Sequence, residues 1–125
     1  MPELRLRLDR DASGSDAAPG YAPGDTISVT LHWDLAEPPR NLCCNLLWYT
    51  EGKGDDNIEV IHRETISDPG PRGEAQLHFT APAFPYSFSG HLISLIWAME
   101  AVAENPDAVE RIPLVIAPAG VEIRL

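Results

Sequence analysis

Two adjacent thiols, four scattered histidines and one carboxylate-rich turn are the groups in this chain that could do chemistry. Cys43 and Cys44 are its only cysteines. Neighbours on a strand point to opposite faces, so the two thiols should diverge. Neither has another partner in the chain, which excludes an ordinary disulfide framework. Two reduced thiols are expected, at least one packed as a small apolar group. A strained vicinal disulfide is the alternative. His32, His62, His78 and His91 fall on separate segments with no i, i+2 or i, i+4 pair. Zinc sites draw on closely spaced Cys and His, so these read as strand-face histidines, and no metal is expected. Asp55-Asp56-Asn57 with Glu51 places oxygens in a glycine-containing turn. The EF-hand order is missing, and a solvated hairpin tip is the simpler reading. Ser87 and Ser89 flank Phe88 without a Gly-x-Ser-x-Gly elbow. No phosphate loop or dinucleotide fingerprint occurs. The expectation is a protein without catalysis and without a cofactor. A small metal-dependent binder or enzyme, assembled from His and carboxylate groups by the fold, is the minor alternative.

Charge narrows the partners. Nine basic residues against nineteen acidic ones give a net charge of -10 over 125 residues. That argues against nucleic acid or an anionic membrane surface as the main partner. No apolar run approaches the ~18 residues of a membrane span. Near the N-terminus Leu4, Leu6 and Leu8 alternate with Glu3, Arg5 and Arg7. This is a strand pattern, not the continuous apolar stretch of a secretory signal, and a cytoplasmic location is expected. Hydrophobic residues at 44% and charged residues at 22% exclude wholesale disorder. The length suits a single domain over 1–125, with a core over about 20–118 and a mobile loop near 10–20.

The elements that would position any site are short. Twelve prolines and nine glycines break almost every segment before a helix could complete three turns. Between the breaks, apolar residues alternate. Ile27, Val29, Leu31 and Trp33 mark the cleanest strand. Leu42, Cys44, Leu46 and Trp48 mark one face of a long strand over Leu42–Thr50. Its second face, Cys43, Asn45, Leu47 and Tyr49, is itself half apolar. Ile58–Ile66 resumes the pattern, then blurs at Ile61, His62 and Arg63 as a bulge would. Ala75, Leu77 and Phe79 define another strand. The run His91–Glu104 alternates through Ile93, Leu95, Trp97, Met99 and Ala101. A helix competes there on the strength of its Ala, Met, Glu and Leu. Pro113 removes a backbone donor from the strand over Val109–Ile116, which places that strand at an edge or makes it locally irregular. Val121–Leu125 suggests a short last strand. Seven or eight such strands at turn-marked intervals predict an all-β, two-sheet antiparallel sandwich of immunoglobulin type.

Two segments carry a family resemblance. Tyr21-x-Pro23-Gly24-Asp25, followed by Ile27-x-Val29-x-Leu31, resembles the strand-opening motif of the arrestin-like sandwich. Phe84-Pro85-Tyr86-Ser87-Phe88-Ser89-Gly90, running into a strand that ends near Met99, resembles the Pro-x-Ser-Phe-x-Gly segment of the same group. The similarity covers about residues 20–118. It implies a non-enzymatic scaffold or interaction domain. Arrestins carry two such domains in tandem, and this length matches one. Their receptor and phosphate recognition rests on basic residues, whereas Lys53 is the only lysine here. No functional residue is therefore carried over.

A protein partner is expected, with a second copy of the chain among the options. Trp33, Trp48 and Trp97 fall on apolar phases and read as core. Tyr21, Phe84, Tyr86 and Phe88 fall in loops and either form a contact patch or plug one end of the sandwich. The candidate contact residues are Leu47 and Tyr49 on the long strand, and Tyr86 and Phe88 in the aromatic loop. A permanently covered accessory subunit of a larger complex is the alternative role.

Overall fold

The computed structural model describes residues 3–10, 18–53 and 56–125. The loop expected near 10–20 falls mostly outside the described residues, as does Asp55. The alternating runs become β1 (Glu3–Leu8), β3 (Thr26–Asp34), β4 (Asn41–Gly52), β5 (Ile58–Thr65), β6 (Arg72–Thr80), β8 (Ile93–Glu104) and β9 (Ala108–Ile116). Three two-residue strands join them: β2 (Gly20–Tyr21), β7 (Phe88–Ser89) and β10 (Ile123–Arg124). The small sheet has the order β1-β3-β6. The large sheet runs β10-β7-β8-β4-β5, with β9 also on β8 and β2 on β9.

Period-two alternation survives into the packing. Leu4, Leu6 and Leu8, with Ile27, Val29, Leu31 and Trp33, face Leu42, Cys44, Leu46, Trp97, Met99 and Ala101 across the core. Of the run over His91–Glu104, Ile93–Glu104 is strand, because its inward residues need period two to meet this core, while His91 and Leu92 form a bend before it. Both buried indoles satisfy their N–H groups: Trp33 Nε1 donates to the Gly70 carbonyl and Trp97 Nε1 to the Pro85 carbonyl, each at 2.9 Å. The blurred alternation in β5 is a bulge. Leu46 faces His62 and Leu47 faces Val60, so Ile61 is the extra residue. The bulge keeps His62 on the core side, edge-on to the Phe79 ring at 5.2 Å. β9 pairs with β8 on one flank and meets β2 only at Val115 and Ile116, so Pro113 does lie in a strand with a largely open flank.

The sheets are not purely antiparallel. β2 runs parallel to β9 and β10 parallel to β7. These short pairs seal the sandwich where a loop returns beside a strand. Both family-like segments are clasps of this kind. Asp25 Oδ2 accepts the Ala22 N–H at 2.9 Å and an Arg10 N–H at 3.1 Å, and these contacts hold its carboxyl below the usual range. Gly24 has φ +89°, a conformation that favours glycine. Ser87 is buried, and its Oγ accepts the Ile116 N–H at 3.0 Å while its own N–H donates to the Ile116 carbonyl at 2.8 Å. Ser89 Oγ donates to Glu122 Oε1. Both serines are thus tied into structural hydrogen bonds.

One glycine tests the seating of the core. Gly73 lies opposite Trp33, and a Cβ there would meet the indole Cζ2 at 2.4 Å. The ring is rigid, buried and hydrogen-bonded, so it cannot yield cheaply. Gly73→Ala should cost about 1–3 kcal/mol, read as a lower urea midpoint at unchanged slope. An unchanged midpoint would mean that Trp33 is not held where the fold requires it.

Candidate protein-contact site

The outer face of the large sheet is built from the second phase of β4. Cys43, Asn45 and Leu47 are buried there, outside the core cluster, and Tyr49 is half-buried. Asn45 pairs with Arg63 on one side and Glu100 on the other, and Glu100 pairs with Arg111. The polar groups in this row bond to one another. Arg63 Nε donates to Asn45 Oδ1 at 2.9 Å, and Arg111 donates twice to Glu100 Oε2, at 3.0 and 2.6 Å. The Arg111 guanidinium also stands 5.2 Å from the centre of the Tyr49 ring, within cation–π range. The next row is apolar: Val60, Leu47, Ala98 and Pro113.

This arrangement changes the candidate set. β4 lies between β8 and β5, so its backbone is already paired on both sides. Leu47 is 0% exposed and offers no surface to a partner. The half-apolar second face of β4 reflects burial within the sheet, so Leu47 leaves the contact set. Tyr49 remains accessible beside Ile58, its cross-strand neighbour. The aromatic loop divides. Phe84 is exposed and Tyr86 is 37% exposed, but Phe88 packs against the core opposite Leu95. Phe88 therefore serves packing first. Tyr21 is fully buried and plugs one end: its Oη donates to Asp9 Oδ1 at 2.6 Å, and Arg10 covers its ring at 4.4 Å. Burial, with Asp9 as acceptor, raises the phenol pKa well above its ordinary value.

The strand that sequence reasoning passed over is β5. It is the edge of the large sheet beyond β4. Ile58, Val60 and Ile61 are 58%, 41% and 42% exposed. The available signal was Ile58-Glu59-Val60-Ile61, where apolar residues occupy both phases of a strand. β5 has no Pro or Lys, and its edge is tempered by Glu59, Arg63, Glu64 and the bulge at Ile61. Tyr49 and Ile58 also line an open hollow of about 480 Å³ at the hairpin end, with Glu51, Asp56 and Arg111 at its rim.

The groups that could do chemistry stay apart. Cys43 faces outward and Cys44 lies in the core, both free. His62 Nε2 sits 2.8 Å from Glu64 Oε1, and His78 Nδ1 sits 3.1 Å from Ser28 Oγ. Among the described residues, no three His, Cys, Asp or Glu side chains are grouped to hold a metal ion. No helix among them is long and apolar enough to cross a membrane.

Comparison with solved structures identifies the architecture. The crystal structure of Spo0M, sporulation control protein, from Bacillus subtilis is similar at TM-score 0.66 and 17% identity, over 93% of this chain and 49% of that one. The fold is an arrestin-like β-sandwich. The chain spans about half the length of that protein. No family model and no curated protein sequence matches it.

The thiols give a direct check on this sandwich. Burial pushes the Cys44 thiol up to about 12 and the Cys43 thiol upward as well. Thiolate, the reactive form, should be scarce for both at pH 8. The folded protein should resist iodoacetamide at that pH and gain two adducts in urea. Rapid labelling of the folded chain would contradict the buried positions.

Proposed function

We propose that this chain is a non-enzymatic protein-interaction module that receives an extended segment of a partner along β5. The observation that carries the reading is the open edge itself. It is eight residues long, unpaired on one flank among the described residues, and carries Ile58, Val60 and Ile61 on its exposed surface. The Thr50 N–H bonds the Asn57 carbonyl, and the Ile66 N–H bonds the Leu42 carbonyl. Antiparallel alternation from these two anchors turns the amides of Ile58, Arg63 and Thr65 toward the open side. An incoming strand would gain main-chain hydrogen bonds there, while Tyr49, Ile58 and Val60 contact its alternate side chains.

Phe84, Leu92, Val121 and Leu125 are 77%, 65%, 68% and 72% exposed. They favour the second reading, in which a larger assembly covers more of this chain as an accessory subunit.

Charge on the edge separates the two. Val60→Lys with Ile61→Lys places cations on exposed positions, where stability should move by no more than about 0.5 kcal/mol each. Capture from native cytosol at moderate salt should yield a stoichiometric partner with the wild type. The double variant should weaken that complex at least about tenfold, and Tyr86→Ala should retain it. Equal capture by the wild type and the edge variant would remove the edge-pairing reading.

A further inference from the structure

The outer face of β1-β3-β6 is chemically unlike the face just described. Its central strand presents Ser28, Thr30 and His32, while Arg5 and Arg7 rise from β1 and Glu74, Gln76 and His78 from β6. Short hydroxyl side chains thus floor a trough that longer side chains wall. Two adjoining cavities of about 480 and 260 Å³ lie along it, and both are lined by Arg7, Thr30 and Gln76.

Arg7 and Arg124 make no ion pair with a described residue, and of the two only Arg7 lines the trough. Arg5, Arg10, Arg40, Arg72 and Arg111 are each ion-paired, to Glu3, Asp25, Glu104, Asp34 and Glu100. Arg63 bonds Asn45. Arg7 makes no ion pair with any described residue, in a chain where nineteen acids outnumber nine bases. Two carboxylates line the same cavities, Glu74 the first and Asp9 the second. Glu3 holds Arg5, Asp34 holds Arg72, and Asp9 accepts the Tyr21 hydroxyl. Glu74 stands across the sheet from Arg5, with His32 between them.

We propose that Arg7 anchors a carboxylate-binding site in this trough, for a ligand carrying one carboxylate on a neutral, hydrogen-bonding body. A guanidinium takes a carboxylate through two parallel N–H donors. The Thr30 hydroxyl and the Gln76 amide address the ligand's neutral groups. Arg7 offers one cation, and Glu74 and Asp9 in the lining would repel a ligand with a second negative charge. A phosphate monoester carries roughly -1.5 to -2 and would leave excess negative charge on an acidic protein. The site lies on the sheet opposite β5, so it stands or falls independently of the edge reading.

The test is a titration of the full chain followed by amide chemical shifts of Thr30 and Gln76. The probes are N-acetylglycine, N-acetyltetraglycine, the C-terminal amide of the latter, and inorganic phosphate. The two acids should give saturable shifts and the amide none. Arg7→Gln, at an exposed position, should keep the folded spectrum and weaken the response at least about tenfold. Arg124→Gln, at another arginine without an ion-pair partner among the described residues, should leave the response intact. A stronger response to the tetraglycine acid assigns a peptide C-terminus as the source, and equal responses assign a small acid. No saturable shift, a response that persists in Arg7→Gln, or tighter binding of phosphate would overturn the proposal.

Discussion

The pairing of β4 with β8 is the constraint on which the rest of the structure depends. Twelve consecutive residues match, from Asn41 opposite Glu104 to Gly52 opposite Ile93. On the core side, Leu42 meets Ala103, Cys44 meets Ala101, Leu46 meets Met99 and Trp48 meets Trp97. Fully burying a side chain such as Leu46 or Met99 contributes about 1.5–3 kcal/mol before conformational entropy is subtracted. A one-residue slip would send this whole set to the outer face, so the register is strongly specified. Everything else in the large sheet attaches to this ribbon. β8 takes β7 near one end and β9 along the rest, and β4 takes β5.

From that ribbon follows the asymmetry of the surface. Because β4 and β8 are both central, their outward residues are shielded by their neighbours, and Leu47 and Ala98 are fully buried without belonging to the core. The exposed apolar surface moves outward to β5, where pairing stops. The three-stranded sheet has no such shielded row. Its outer face is polar from Arg5 to His78, with short hydroxyl groups along the middle. The fold thus offers a main-chain edge on one sheet and a hydrogen-bonding trough on the other.

Much of the fold was legible because period-two alternation leaves few alternatives once Pro and Gly cut the helices short. Ile27 to Trp33 and Leu42 to Trp48 needed nothing else. Even the bulge showed, as broken phase at Ile61. The segments Tyr21–Asp25 and Phe84–Gly90 hold the β2–β9 and β7–β10 closures. The contact site was far less legible. Alternation shows which residues share a face, but strand order decides which faces and edges are open. Leu47 looked like a contact residue because its strand was apolar on both phases, and the same observation fits a central strand. Phe88 and Tyr21 looked like loop aromatics because two-residue strands leave almost no sequence signal. Arg7 was invisible as a site, since its lack of an ion-pair partner depends on where every other arginine finds its acid.

The central claim is that β5 ends the large sheet with an unpaired edge in the isolated chain. Native-state hydrogen exchange, resolved by residue, tests it most directly. The account predicts strong protection for the amides of β4 and β8, and alternating protection in β5. There, amides turned toward β4 should be slow, and those of Ile58, Arg63 and Thr65 fast. Uniform slow exchange along β5, at the level of β4, would show that this edge is already covered and would contradict the account.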